Sequence, residues 1–210
     1  WGEVWNLLVD DATRFKLVGL LPSKHGYYQL RFILKDWARY FGPMRVLVMD
    51  QEGGIRSTQS GRRLEQLGIT RRLKGSVVDG RHTSTGLVES HVRLTKLVMR
   101  KLKAYCQKKS IVAEDEDIAF EATMAQNLTL TYGGVTPMMA AQGCHPRGFY
   151  EIEDTGIAGH IEASASSRDM FENAVRLRIA SQLAVTKAIV EDRINKANNT
   201  KTKETDITQI

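Results

Sequence analysis

Arg45-Val46-Leu47-Val48-Met49-Asp50 is a short, nearly all-apolar run that ends on a carboxylate. It predicts a central strand buried on both faces, with Asp50 at its carboxyl end. Upstream, Tyr28, Phe32, Ile33, Trp37, Tyr40 and Phe41 recur at helical spacing until Gly42-Pro43, predicting one amphipathic helix from Tyr27 to Phe41. Before it, Val4–Asp11 and Phe15–Leu21 read as two strands joined by a hairpin through Asp11-Ala12-Thr13-Arg14. Downstream, Gln59–Leu67 reads as a helix closed by Gly68, and Ile69–Leu73 as a short strand returning to the sheet. Strands and helices alternate, so the fold class is α/β.

The composition of Gly75–Thr85 predicts a mobile loop, followed by a long helix from Val88 to about Lys108. On that helix Val88, Val92, Thr95, Met99 and Leu102 form a nearly apolar stripe expected to face the sheet. One step round, Glu89, Arg93, Lys96, Arg100 and Lys103 repeat the same offsets, so a carboxylate in the first turn heads a row of four cations. A second helix is expected over Ile118–Leu130, broken by Tyr132-Gly133-Gly134, and Thr136-Pro137 supplies an N-cap and first-turn proline for a short helix through Ala141.

Asp50 and Glu89 are therefore carboxylates mounted at element ends, far apart in sequence. Phosphodiester chemistry with divalent ions needs such oxygen donors to converge on hard cations. Singly, each has a plainer use: a strand-end Asp caps turns, and a Glu near a helix start favours the dipole. His82 and His91 do not make a zinc site, because no second pair of ligands stands at metal spacing.

The 210 residues allow one ordinary domain with an appendage, and 42% hydrophobic with 26% charged residues is a globular balance. No apolar run is long enough to cross a bilayer, and no basic-then-apolar leader opens the chain, so membrane and secretory readings are set aside. Cys106 and Cys144, without CxxC spacing, exclude a disulfide framework and predict a reducing compartment. The net charge of +6 is concentrated. Between Arg56 and Lys109 there are fourteen basic residues against three acidic, a net +11, which points to a polyanionic partner.

Taken in order, Leu7-Leu8-Val9-Asp10-Asp11-Ala12-Thr13-Arg14-Phe15, Val46-Leu47-Val48-Met49-Asp50-Gln51-Glu52-Gly53-Gly54, Gly86-Leu87-Val88-Glu89-Ser90 and Thr136-Pro137 resemble motifs of the retroviral and retrotransposon integrase catalytic core, the D,D,E family. The resemblance spans most of residues 1–150. It implies a ribonuclease H-like mixed sheet flanked by helices, and Mg2+- or Mn2+-dependent 3′-end processing and strand transfer of DNA. It makes Asp50 and Glu89 the catalytic and metal-binding residues. Arg93, Lys96, Arg100 and Lys103 become nucleic-acid-binding, and the loop Gly75–Gly86 would close over the DNA end. By position the family's first aspartate falls upstream of Trp1, so the triad and the first core strand are incomplete, and the chain as given is expected to be inactive. Asp10 and Asp11 resemble noncatalytic turn acids.

The expected organisation is a core-like domain at 1–143, an irregular linker at 144–164, an appended long helix at 165–198 and a frayed tail at 199–210. The appended helix carries an apolar stripe from Phe171 to Ile194 that must bury against the core or another chain. Expected partners are DNA and, through that helix, a second copy; the expected location is intracellular, and nuclear at least transiently. Two rivals stand beside the integrase reading: a catalytically incomplete nucleic-acid-binding remnant of the same fold, and a cellular nuclease that cleaves without joining.

Overall fold

The computed structural model describes residues 4–49, 58–73, 83–144 and 170–199. Asp50, the stretch 74–82, the segment 145–169 and the tail from 200 lie outside the described residues, and the expectations placed on them with it. Among the described residues the chain is mixed α/β, mostly helical, with two small sheets.

Strands β1 (Val4–Val9) and β2 (Lys16–Leu21) form the expected antiparallel hairpin, in register from Val4 opposite Leu21 to Val9 opposite Lys16. Its turn is built by Asp10, whose carboxylate accepts from the Thr13 amide at 2.8 Å and from the Thr13 hydroxyl at 2.6 Å, while Arg14 takes the left-handed conformation at φ 64°. Gly19 in β2 lies under the Phe32 ring; a Cβ there would sit 2.3 Å from Cε2 of that ring.

The helix expected over Tyr27–Phe41 is present in three pieces: α1 (Gly26–Phe32), a π-helical stretch (Ile33–Ala38) and α2 (Arg39–Phe41). Inside the wide stretch the Arg39 amide reaches back to the Leu34 carbonyl, five residues away. Trp37 and Phe41 meet Phe15 edge-on, with centroids 6.3 and 5.2 Å away. Gly42, at φ 77°, ends the helix.

Strand β3 (Val46–Met49) pairs in parallel with β4 (Thr70–Leu73), with α3 (Thr58–Gln66) between them in sequence. The expectation of burial on both faces fails here. Leu47 is buried, but Val46 and Val48 are 39% and 51% exposed. The physical reason is layering: Leu47 packs with Leu30, Ile33, Leu64 and Ile69 on one side, and the described residues place no second layer over the valines.

Helices α4 (Thr83–Lys109), α5 (Asp115–Thr129) and α7 (Met170–Asn199) carry the larger core, with α6 (Pro137–Gln142) beside α5. Helix α4 starts five residues earlier than expected, so Gly86 is helical rather than part of a loop, and Glu89 stands in the second turn rather than the first. A run of Thr, Ser and Gly lacks helix propensity but contains no proline, and extending a long helix costs far less than nucleating one. The α4 stripe also differs: Val88 is 41% exposed, and the buried line runs through His91, Thr95, Val98, Met99, Leu102 and Cys106. That line packs on α5 and α7 as well as the β1–β2 hairpin, because the first turns of α4 extend past what these elements cover.

Helix α5 opens with a capping box between Glu114 and Asp117, three residues before the apolar pattern begins. In α6 the Thr136 hydroxyl accepts from the Met139 amide at 3.2 Å and Pro137 holds the first turn, as the sequence predicts, and Gly143 closes the helix at φ 73°. The buried face of α7 runs through Leu177, Ala180, Ala184, Val185 and Ala188 against α4 and α5 of its own chain, whereas Ile179, Leu183 and Ile194 of the expected stripe are exposed because they fall on the turn of the helix away from these partners. Facing alanines Ala119, Ala122 and Ala125 on α5 let the two helices approach closely.

Candidate nucleic-acid interface

The helical period delivers the charged row of α4 as one surface. Glu89, Arg93, Lys96 and Arg100 are exposed, and Lys103 is half-buried. Their surroundings divide them. Arg93 is ion-paired with Asp192 of α7 at 3.0 Å, and Lys103 with Asp115 at the start of α5 at 2.6 Å. Lys96 and Arg100 have no carboxylate partner among the described residues; the Arg100 guanidinium donates only to the Lys96 carbonyl, at 3.4 Å. Lys101, on the neighbouring row, is paired with Glu191 of α7. Two of the four expected phosphate contacts are therefore open, and two are already engaged by carboxylates.

Glu89 is an exposed carboxylate, a hard oxygen donor of the kind Mg2+ or Mn2+ takes. Its expected companion Asp50 lies outside the described residues. Among the described residues no three His, Cys, Asp or Glu side chains converge on a cation-sized site. Asp10 is occupied by Thr13 within its turn, and Asp11 pairs with Arg14 at 2.7 Å, the bonding of turn acids. No helix among the described residues is long and apolar enough to cross a membrane.

Behind the charged row lies a buried polar cluster that the sequence did not signal. Lys16 is fully buried; its ammonium donates to Gln126 Oε1 at 2.8 Å, and its backbone is held by Asn127 through bonds of 3.1 and 2.8 Å. Gln126 also donates to the Thr95 hydroxyl at 3.2 Å. Burial pushes the Lys16 amine down to about 7. Beside it, His91 is buried with Nδ1 lacking a partner among the described residues, and is pushed down to about 4 by burial first and then by the charges of Lys16 and Arg14. A lysine in a strand reads as a solvent-facing residue, which is why periodicity gives no hint of this cluster.

Next to the row, a cavity of about 690 Å³ opens between β1 and α4, lined by Trp5, Leu7, Val92, Thr95, Met99 and others, with Lys96 and Arg100 at its wall. Among the described residues the two strand pairs stay separate, β1 pairing with β2 and β3 with β4, although Leu8 of β1 packs into the cluster around Leu47 of β3.

An antiparallel hairpin, a helix, the strand Val46–Met49, a parallel return strand and a long helix bearing Glu89 together make the α/β fold of retroviral integrase catalytic cores. Two solved structures carry that assignment. The catalytic core domain of BIV integrase superposes with a TM-score of 0.54 at 20% identity, covering 67% of this chain and 87% of that one. A simian T-cell lymphotropic virus intasome, in complex with PP2A regulatory subunit B56 gamma, gives 0.53 at 16% identity, covering 70% of this chain and half of that one. At such identities the likeness is one of fold. No protein-family model and no curated protein matches the sequence.

Proposed function

We propose that this chain is the catalytic core segment of a retroelement DNA integrase, acting on DNA ends by metal-dependent 3′-processing and strand transfer when its acidic triad is complete. The observation that carries the proposal is an integrase-core fold in which Glu89 heads an exposed helical row of cations. Asp50 and Glu89 would hold Mg2+ or Mn2+, whose Lewis acidity polarises phosphate and lowers the pKa of water. Lys96 and Arg100 would bind backbone phosphate, which needs charge rather than base contacts.

In this reading the fold is ribonuclease H-like and the first core strand, bearing the first aspartate, precedes Trp1. The separation of the β1–β2 and β3–β4 sheets, with Leu8 and Leu47 in one cluster, supports an added strand between them. Residues 1–143 would then be the core unit and α7 an addition to it. Work on chromosomal DNA would require at least transient presence in the nucleus, and a second copy would bind the other DNA end.

The test uses a chain extended upstream of Trp1. Glu89→Gln should abolish metal-dependent end processing while leaving DNA affinity in place; retained processing removes Glu89 from the site. Independently, Lys96→Ala with Arg100→Ala should flatten the slope of log K against log salt by about 1.8, near 0.9 per phosphate contact, and an unchanged slope reassigns the surface. If no Asp-bearing strand precedes Trp1, the second reading holds: a binding remnant that keeps Lys96 and Arg100 open for phosphate and does no chemistry.

A further inference from the structure

Helix α7 runs antiparallel to α4: Lys187 lies 6.0 Å over the Tyr105 ring, and further along α7 Glu191 reaches Lys101 and Asp192 reaches Arg93. The charges of α7 are otherwise basic over most of its length, with Arg176, Arg178, Lys187, Arg193 and Lys196 against a single further acid, Glu172. Its two adjacent carboxylates thus fall where the helix crosses the Arg93–Lys101 stretch in the middle of α4. Asp192 is the better shielded partner, with its side chain 20% exposed against 62% for Arg93. It also accepts from Lys196 at 2.7 Å, and that bond, with the charges of Lys196 and Arg93, holds its carboxyl below the usual carboxylate range. The carboxylate is therefore a fixed anion at any pH near neutrality.

Docking of α7 does not depend on these pairs. Its apolar face is buried along α4 and α5, and Arg178 binds Glu121 of α5 with two hydrogen bonds, the second at 2.7 Å. What Glu191 and Asp192 do is place two carboxylates on cations that a phosphate backbone would otherwise take. We infer that Glu191 and Asp192 are an internal competitor for phosphate, holding Arg93 and Lys101 in ion pairs that a polyanion must exchange for its own contacts. The inference rests on the nucleic-acid reading of α4 and adds regulation to it. Lys96 and Arg100, open from the start, give first contact; Arg93 and Lys101 join only when the carboxylates of α7 yield.

The test measures binding of a fluorescent DNA duplex to the full chain by anisotropy across a salt series. Glu191→Gln with Asp192→Asn should tighten binding and steepen the salt slope by roughly 1.8, about 0.9 each for Arg93 and Lys101, since Lys196, also bonded to Asp192, keeps a further interaction of its own. Adding Arg93→Ala to that variant should take back about half of the change. The control, Asp36→Asn with Glu116→Gln, removes the same charge from the walls of the cavity between β2, the π-helical stretch and α5, and should leave the slope near that of the parent. Equal changes in the α7 variant and the control overturn the inference, since long-range charge alone would then explain them. An α7 variant that binds DNA with the parent's slope also overturns it and leaves the α4 assignment standing. Absence of DNA binding by parent and α7 variant alike overturns both.

Discussion

The two cores of this molecule are built on different terms. Around α4, α5 and α7, fourteen buried residues are enclosed, among them Val98, Leu102, Ala119, Ala122, Ala125, Val185 and Ala188 at zero exposure. Around β3 and β4 the buried cluster among the described residues is Leu30, Ile33, Leu47, Leu64 and Ile69, under strands whose other face shows Val46 and Val48 to solvent. Three long amphipathic helices can bury each other within one chain, whereas a two-stranded sheet buries one face and leaves unpaired edges. The helical half is closed, whereas among the described residues the strand half leaves one face of β3 to solvent. The charged row of α4 lies on the closed half, at the border with the open one.

The largest effect expected from this contrast concerns Lys16, sealed between β2, α4 and α5 with Gln126, Thr95 and His91. Its amine titrates near 7 in the folded chain and near 10.5 when unfolded. Above 10.5 both states are neutral and the burial carries no charge penalty. As pH falls through that window the unfolded chain takes up the proton first, so stability is lost at about 1.4 kcal/mol per unit, and below about 7 the loss is complete. Urea unfolding across pH 7–10 should show this slope in the parent relative to Lys16→Met; parallel curves would mean that the helical half is wetter than its packing implies. His91, depressed from 6.5 to about 4, adds a further loss as pH falls through that lower range.

Next in size are truncations. Leu102→Ala, in the closed core, should cost about 3–5 kcal/mol, while Leu47→Ala should fall at or below about 2.5 kcal/mol because a core with one open side collapses more readily onto a cavity. Equal costs in chemical denaturation would erase the distinction between the halves. The smallest effect is assigned to Val48→Thr, which should change stability by no more than about 0.5 kcal/mol in the chain as given. A loss well above that would mean the outer face of β3 is already covered.

Local patterns carried the elements whose signals are local. Gly42, Gly68 and Thr136-Pro137 end or start helices where the sequence predicts, because a positive φ or a cap is a property of a few adjacent residues. Burial on a given face is a different matter. Val46-Leu47-Val48-Met49 has the composition of a doubly covered strand, but composition does not count layers. The α4 start was obscured because Thr83–Gly86 has loop composition, although a long helix readily extends through it. Of the candidate site, the 3.6-residue period was enough to align Glu89, Arg93, Lys96, Arg100 and Lys103. The partners Asp192, Glu191 and Asp115 were beyond reach, since they arrive through tertiary packing from 12 or more positions away.

Gly19 shows how an empty space can serve as an alignment stop. The Phe32 ring occupies the volume where a side chain on β2 would stand. Sliding β2 by two residues past α1 would bring Leu17 or Leu21 beneath the ring, and sliding it by one would turn every strand side chain to the wrong face. The hairpin can therefore seat against its helix in only one position, which also sets where Lys16 enters the interior.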